Sequence, residues 1–526
     1  MRGVSVDLQD ALRIVLTALC LLGMAACQPA AAPFLPEYGQ IDLLIRNGRV
    51  VDGSGAPARS ADVAIVGDRI VFVGDALFSD ADLANRVGRV IDANGRVVAP
   101  GFIDLHSHGN PLDTPELENF LAMGVTTISL GQDGDSPAVA SLADWLASVA
   151  DQGIGTNLAM FVGHGTLRDR SGIGLAKNPS PEALAMMTAM LDEALDVSFG
   201  MSSGLEYNPG FNANKGELLE LAKVVGKRDR VIMSHLRNED DDALEGAIAE
   251  LLDQGEFARV HISHLKSVYG KGRDRAAQIL RIIEDARENG VRVTADMYPY
   301  TASYTGIGIV FPVWAKTREQ FDIARVSRRA ELADYLHKRV MQRNGPEATL
   351  LGTDPYTGKT LADLAHELEM SFEDLLIDVI GPDGASGAYF VMNEELQSNL
   401  LRSPWVGVCS DGSPTGYHPR GHGTFARIIE QYVVQEGLLT LEQAVAKMTA
   451  FAADILKIAD RGRIAEGLYA DIIVFDPARV KARASYTAPL TLAEGFDIVI
   501  VNGVIAREND SLAAARAGVV LQPAAQ

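Results

Sequence analysis

The run GFIDLHSHGN (101–110) ends an apolar stretch in two histidines one residue apart. In an extended chain residues i and i+2 point to the same side, so His106 and His108 project together. Two imidazoles on one face can hold a metal ion, although such a pair also arises by chance on surface strands. Two further histidines follow apolar runs, His235 in VIMSHLRNED and His264 in VHISHLK, and Asp411 lies in CSDGS. Each alone reads most simply as a core or strand-end group. Four of the ten histidines at such places, joined by an aspartate, are harder to assign to accident. Imidazole nitrogen and carboxylate oxygen together make a standard zinc shell. His261, three residues before His264, is expected to be structural, and His337 and His366 fall in helical sequence.

The elements that position these groups are legible in outline. Strand patterns occur at VVAPGFIDLHSH, VTTISLG, NLAMFVGHG, VSFGMSSGL, RVIMSHLRN, RVHISHLK, RVTADMYPY and WVGVCSDG, many separated by helical runs such as PEALAMMTAMLDEALD. Eight βα units is the count of a TIM-type barrel, although a doubly wound sheet shows the same alternation. The polar residues decide. In order the strands end on His106/His108, Gln132/Asp133, His164, Ser202/Ser203, His235, His264/Lys266, Asp296/Tyr298 and Asp411. Only in a barrel do all eight carboxyl ends meet at one mouth. The expected fold class is therefore α/β, a (β/α)8 TIM-type barrel over 99–461 with an insert around 303–400. IDLLIRNGRVVDGSG (41–55) and FDIVIVNGVIARE (496–508) each pair a β-branched strand with an Asn-Gly turn and a second strand. They predict a small β-sandwich domain built from both chain ends, 41–98 and 462–510, with 511–526 as a tail.

A net charge of −22 over 526 residues argues against nucleic acid or anionic lipid as main partners. At the N-terminus, Arg2 and Arg13 accompany the apolar run IVLTALCLLGMAA, which is shorter than the ~20 residues a spanning helix needs. GMAAC followed by Gln28 resembles a bacterial lipoprotein signal, which makes Cys27 the lipidated first residue; plain secretion is the alternative. Residues 1–27 are thus read as a signal and 28–40 as a linker, and the expected location is periplasmic, anchored through Cys27. Of three cysteines, Cys20 lies in the signal and Cys27 at its end, leaving Cys409 as the only other one, so neither a disulfide framework within the mature chain nor a cysteine-rich zinc site is possible.

PGFIDLHSH, SHLRNE, ISHLK, SDG, HPRGHGTF and GRIAEGLYADIIVFDP, in that order, resemble the amidohydrolase superfamily. GHGTLR, GMSSGLEYNPG and DMYPYTAS are similar to further blocks of its N-acyl-D-amino-acid deacylase (D-aminoacylase) group, so the resemblance runs from about 41 to 508. It implies that His106 and His108 serve one metal and His235 and His264 another, with Asp411 a ligand and the catalytic carboxylate. It also implies that Lys266, Tyr207, Tyr298 and Arg420 hold the substrate's carboxylate, a task suited to cations and a phenol. One block departs from the group. Its second strand commonly ends in a metal-binding cysteine, whereas GVTTISLGQDGDS puts Asp133 there. A carboxylate can span two cations ~3.5–4 Å apart, so Asp133 is the candidate bridge between two Zn²⁺ ions. The alternative is a plain Asp-Gly turn, and Asp135 is the neighbour most easily confused with it.

Zinc would lower the pKa of a water to ~7 and polarise the amide carbonyl, and Asp411 would pass the proton from that water to the leaving amine. MSSGL lacks the GxSxG spacing, so its serines are read as hydrogen-bonding groups. His164 is expected at the substrate, either polarising the carbonyl or bracing a loop. The expected activity is metal-dependent hydrolysis of small N-acyl-D-amino acids, the D configuration resting on the resemblance. Alternatives are a dipeptidase for peptides ending in a D-residue and a cyclic imide or ureide amidohydrolase. A non-enzymatic scaffold on this barrel would lack ligands that are present here.

Overall fold

The computed structural model describes residues 39–75 and 80–524, so the expected signal, the Cys27 anchor and most of the linker lie outside the described residues. Among the described residues no helix is long and apolar enough to cross a membrane. Parallel strands Phe102–Asp104, Val125–Leu130 and Asn157–Met160 form one ladder. Val162–Gly163, Gly200–Gly204, Val231–His235, Arg259–Ile262, Val293–Met297 and Val406–Val408 form a second, also parallel. Only Phe161 separates the two ladders along the chain. At the far end Ser107 bridges in parallel to Gly412, and the Asp411 N–H donates to the His106 carbonyl at 2.8 Å. The end of the last strand therefore lies against the end of the first.

These strands are buried almost throughout, which is why they read as unbroken apolar runs: a parallel sheet is covered on both faces. Helices fill most of the intervals. Leu142–Gln152 starts at Ser141 and Lys215–Lys227 at Asn214, whose side chains accept the N–H groups of Asp144 and Glu217. The second helix buries Leu218, Leu221, Ala222 and Val225, one face at helical spacing.

Both chain ends enter one nine-stranded mixed sheet. The seam is Val97–Pro100, antiparallel to Ile472–Phe475 and parallel to Ile41–Val50. VVAPGFIDLHSH is therefore two strands rather than the single one expected. The break is at Gly101, where a β-carbon would stand 2.2 Å from Thr126 Oγ1, so the chain can change sheets only without a side chain. Asp471 fixes the junction. It accepts from Asn157 Nδ2 at 3.0 Å and the Asn502 N–H at 2.8 Å, and it pairs with buried Arg461. Phe102 packs across it onto Phe496, centroids 5.8 Å apart, and burial of each such ring stabilises by roughly 1.5–3 kcal/mol.

The segment around 303–400 carries its own antiparallel sheet, Ser303–Gly306, Ser386–Tyr389 and Thr349–Leu351, over a core that includes Ile307, Phe321, Leu336 and Tyr389. Its last helix, Glu394–Leu401, packs instead on Gly272–Glu288 and belongs with the parallel strands.

Candidate metal centre and active site

Three residues at the ends of parallel strands have left-handed backbones: Asp133 (φ 54°), His264 (φ 38°) and Asp411 (φ 49°). Such conformations cost of order 1–3 kcal/mol for residues other than glycine, and they gather where function fixes them. At Asp133 the approach is close, since a β-carbon on Gly204 would stand 2.0 Å from the Asp133 carbonyl oxygen.

The side chains form two donor groups that share one residue. His106, His108, Asp133 and Asp411 place one ligand atom each within 4.8 Å of one another, and so do Asp133, His235 and His264. Asp133 Oδ1 lies 3.2 Å from Nε2 of both His106 and His264, and Oδ2 lies 3.4 Å from His108 Nε2. Asp411 Oδ1 is 3.1 Å from His108 Nε2. His235 Nδ1 and His264 Nε2 face each other at 3.1 Å. Both ring nitrogens of His106 are buried without a hydrogen bond, which leaves a lone pair free for a cation. Imidazoles and carboxylates without thiolates suit divalent first-row ions. Asp135 is exposed and outside both groups.

Burial disfavours the charged form of His106 and leaves it below its ordinary value. At His108 and His264 burial is outweighed: Asp133 and Asp411 hold them up to about 9 and about 10. Burial alone would raise the two aspartates. His106 and His264 hold Asp133 low instead, and Arg420 and His264 do the same for Asp411. The centre concentrates negative charge that positive partners must balance. It opens onto a cavity of about 850 Å³.

Comparison with known proteins agrees with this chemistry. The amidohydrolase family model matches residues 97–506. The chain belongs to the amidohydrolase family. An N-acyl-D-glutamate deacylase of Alcaligenes xylosoxydans xylosoxydans is 35% identical over 491 residues, covering 88% of this chain and 93% of the relative. The solved N-acyl-D-glutamate deacylase of Bordetella bronchiseptica, complexed with zinc and a phosphonate mimic of the tetrahedral intermediate, aligns with a TM-score of 0.79 at 30% identity, covering 92% of this chain and 100% of that one. A D-aminoacylase structure described for its binuclear metal centre, with one-metal activation and second-metal attenuation, aligns at 0.78 and 30%, with the same coverage.

In this amidohydrolase the remaining residues singled out from sequence take distinct places. Arg420 is buried and lines the cavity, its Nη1 2.6 Å from Asp411 Oδ2. Lys266 also lines it; its Nζ donates to Glu239 Oε1 at 2.7 Å and to the His264 carbonyl at 3.1 Å. Tyr207 lines it with its ring 4.5 Å from that of His235. Tyr298 does not reach the wall. Its buried ring lies beneath Arg420 and Lys266, 4.8 and 5.8 Å from their charged ends, and burial pushes its phenol up to about 12. His164 takes the second of its two expected roles. It is fully buried, with Nε2 2.7 Å from Glu217, which also pairs with Arg168 at 2.6 Å, so it braces helix His164–Arg170 against helix Lys215–Lys227 and is not among the residues lining the cavity. His261 is structural, 3.0 Å from Asp296, whose Oδ1 accepts the His264 N–H at 2.5 Å. Ser202 and Ser203 are hydrogen-bonding groups, bound to the Gly131 carbonyl and Ser234 Oγ.

Two carboxylates escaped the sequence reading. Glu206 lies 3.1 Å from His235 Nε2, and Glu239 lies 3.2 Å from His264 Nδ1. Glu206 faces the His235 nitrogen turned away from Asp133 and so fixes the tautomer a ligand needs, whereas the corresponding nitrogen of His264 is shared between Glu239 and Lys266 Nζ, 2.8 Å away. The available signal was position: Glu206 adjoins Tyr207 in GLEYNPG, and Glu239 follows His235 by four residues.

Proposed function

We propose that the chain hydrolyses the amide bond of N-acyl-D-amino acids at a centre of two zinc ions bridged by Asp133. The observation that carries this reading is the position of Asp133, which belongs to both donor groups. His106, His108 and Asp411 would hold one ion, and His235 and His264 the other. When bound, such ions make water a stronger acid and polarise an amide carbonyl.

The chain's own side chains supply the rest. Asp411 takes the proton of the attacking water and delivers it to the leaving nitrogen. Lys266 and Arg420 receive the substrate's α-carboxylate, and Tyr207 adds a hydrogen bond from the wall. As that carboxylate arrives, Arg420 shares its charge between two acceptors, which loosens its hold on Asp411 and raises the basicity of that group. The relatives that act on N-acyl-D-glutamate and on D-amino-acid derivatives support the D configuration.

We read the nine parallel segments as the eight strands of one closed (β/α)8 barrel, Asn157–Met160 and Val162–Gly163 being one strand interrupted at Phe161; that continuity and the Ser107–Gly412 bridge support closure. The nine-stranded sheet is read as a small β-sandwich domain drawn from 41–98 and 462–510. The lipoprotein-like segment before residue 28 supports export to the periplasm with an anchor at Cys27.

The test is a panel of N-acetyl-D- and N-acetyl-L-amino acids with metal-loaded protein, metal content being measured alongside. Hydrolysis of the D series is expected, with kcat reduced on the order of 10²–10⁴-fold in Asp411→Asn. Hydrolysis of the L series alone, or full activity in that variant, contradicts the reading.

A further inference from the structure

One wall of the cavity has no part in the reaction described above. Arg343, which follows helix Arg329–Gln342, lines the cavity and is only 4% exposed. Its Nε makes no hydrogen bond. Among the described residues the one carboxylate within 4.0 Å is Asp240, 3.9 Å from Nη1, and Asp240 is already engaged by Arg339 at 2.6 Å. Two guanidinium groups thus share one carboxylate, and Arg343 is otherwise softened only by the Tyr389 ring, 5.0 Å away, and by Tyr269. A buried cation without its own counter-ion is unfavourable unless a ligand brings one.

The place of this cation says which part of the substrate meets it. Asp240 adjoins Glu239, the partner of Lys266, and both are tied to Val268 by backbone pairing. Arg343 is therefore on the flank of the cavity that holds Lys266, where the amino-acid half of the substrate is bound in the reading above. The lining residues Pro137, Ala138 and Trp145 come from the chain after the second strand and are largely apolar, suited to the acyl half.

We propose that the amino acid released by this enzyme carries an acidic side chain, as in D-glutamate or D-aspartate, and that Arg343 pairs with its carboxylate. This inference rests on the function proposed above and goes on to name the side chain.

The test compares kcat/KM of the metal-loaded full chain for N-acetyl-D-glutamate and N-acetyl-D-glutamine, which match in shape and differ in charge. The acid is expected to be favoured at least tenfold, and Arg343→Gln to lower that ratio on the order of 10- to 100-fold, the range for a hydrogen bond to a charged group. Arg343→Lys, which keeps the charge, is expected to retain part of the ratio. A wild-type ratio at or below one overturns the proposal and requires no variant to fold; an unchanged ratio in a folded Arg343→Gln also overturns it. A second pair puts the acid on the other half of the substrate, N-succinyl-D-leucine against N-butyryl-D-leucine. An Arg343-dependent preference for the succinyl compound overturns the assignment to the side chain. Failure of the wild type to hydrolyse any N-acyl-D-amino acid overturns the proposed function, and this inference with it.

Discussion

Glu206 Oε2 stands 3.1 Å from Nε2 of His235, while Nδ1 of the same ring faces His264 Nε2 at 3.1 Å. An imidazole that gives one N–H to a carboxylate keeps its other nitrogen as a lone pair, oriented and made more basic for a cation. Glu206→Ala is therefore expected to weaken one metal position on the order of 10- to 100-fold in chelator competition, with the other unchanged. Affinities at both positions unchanged from wild type in that variant would remove Glu206 from the account.

His164 makes a different forecast because its partners are wholly internal. Glu217 serves both His164 and Arg168, all three fully or almost fully buried. Glu217→Gln leaves Arg168 without its counter-charge and is expected to cost about 3–5 kcal/mol in urea unfolding. His164→Asn is expected to lower stability with KM changed less than about threefold, below the tenfold that 1.4 kcal/mol of lost binding would give. A large rise in KM at unaltered stability would return His164 to the substrate.

His422 sets an acid limit on the fold. It is buried with Nδ1 unpartnered, and burial holds its pKa down to about 4 from an ordinary 6.5. The folded state binds this proton less readily than the unfolded one. Its contribution is fully present above pH 6.5 and is lost as the pH falls toward 4, about 3 kcal/mol in all. Urea midpoints of metal-free protein between pH 7 and 4 should fall more steeply for wild type than for His422→Gln. Parallel curves would show that this ring does not govern the acid limit.

The centre was legible because histidine is rare in this chain and fell at the ends of apolar runs. Ten histidines among 526 residues make a chance cluster improbable, and His106, His108, His235 and His264 stood out for that reason. Glu206 and Glu239 did not, since carboxylates are common in a chain with 69 Asp and Glu and give no contrast. Asp133 was distinguishable from Asp135 only by comparison with a cysteine block; in the fold the left-handed turn at Asp133 brings it between the histidines while Asp135 faces solvent. The break at Gly101 was invisible because both halves of VVAPGFIDLHSH are buried and apolar, so hydrophobic pattern cannot show a change of sheet. His164 looked like a site residue because it ends a strand as the ligands do; its buried partner Glu217 lies 53 residues away, beyond the reach of local pattern.

Asp133 carries the central claim, and metal content per chain tests it most directly. Wild-type protein reconstituted with zinc is expected to hold two ions per chain, and Asp133→Ala one or fewer, because its two oxygens stand in both donor groups. Two ions retained in Asp133→Ala would contradict the account.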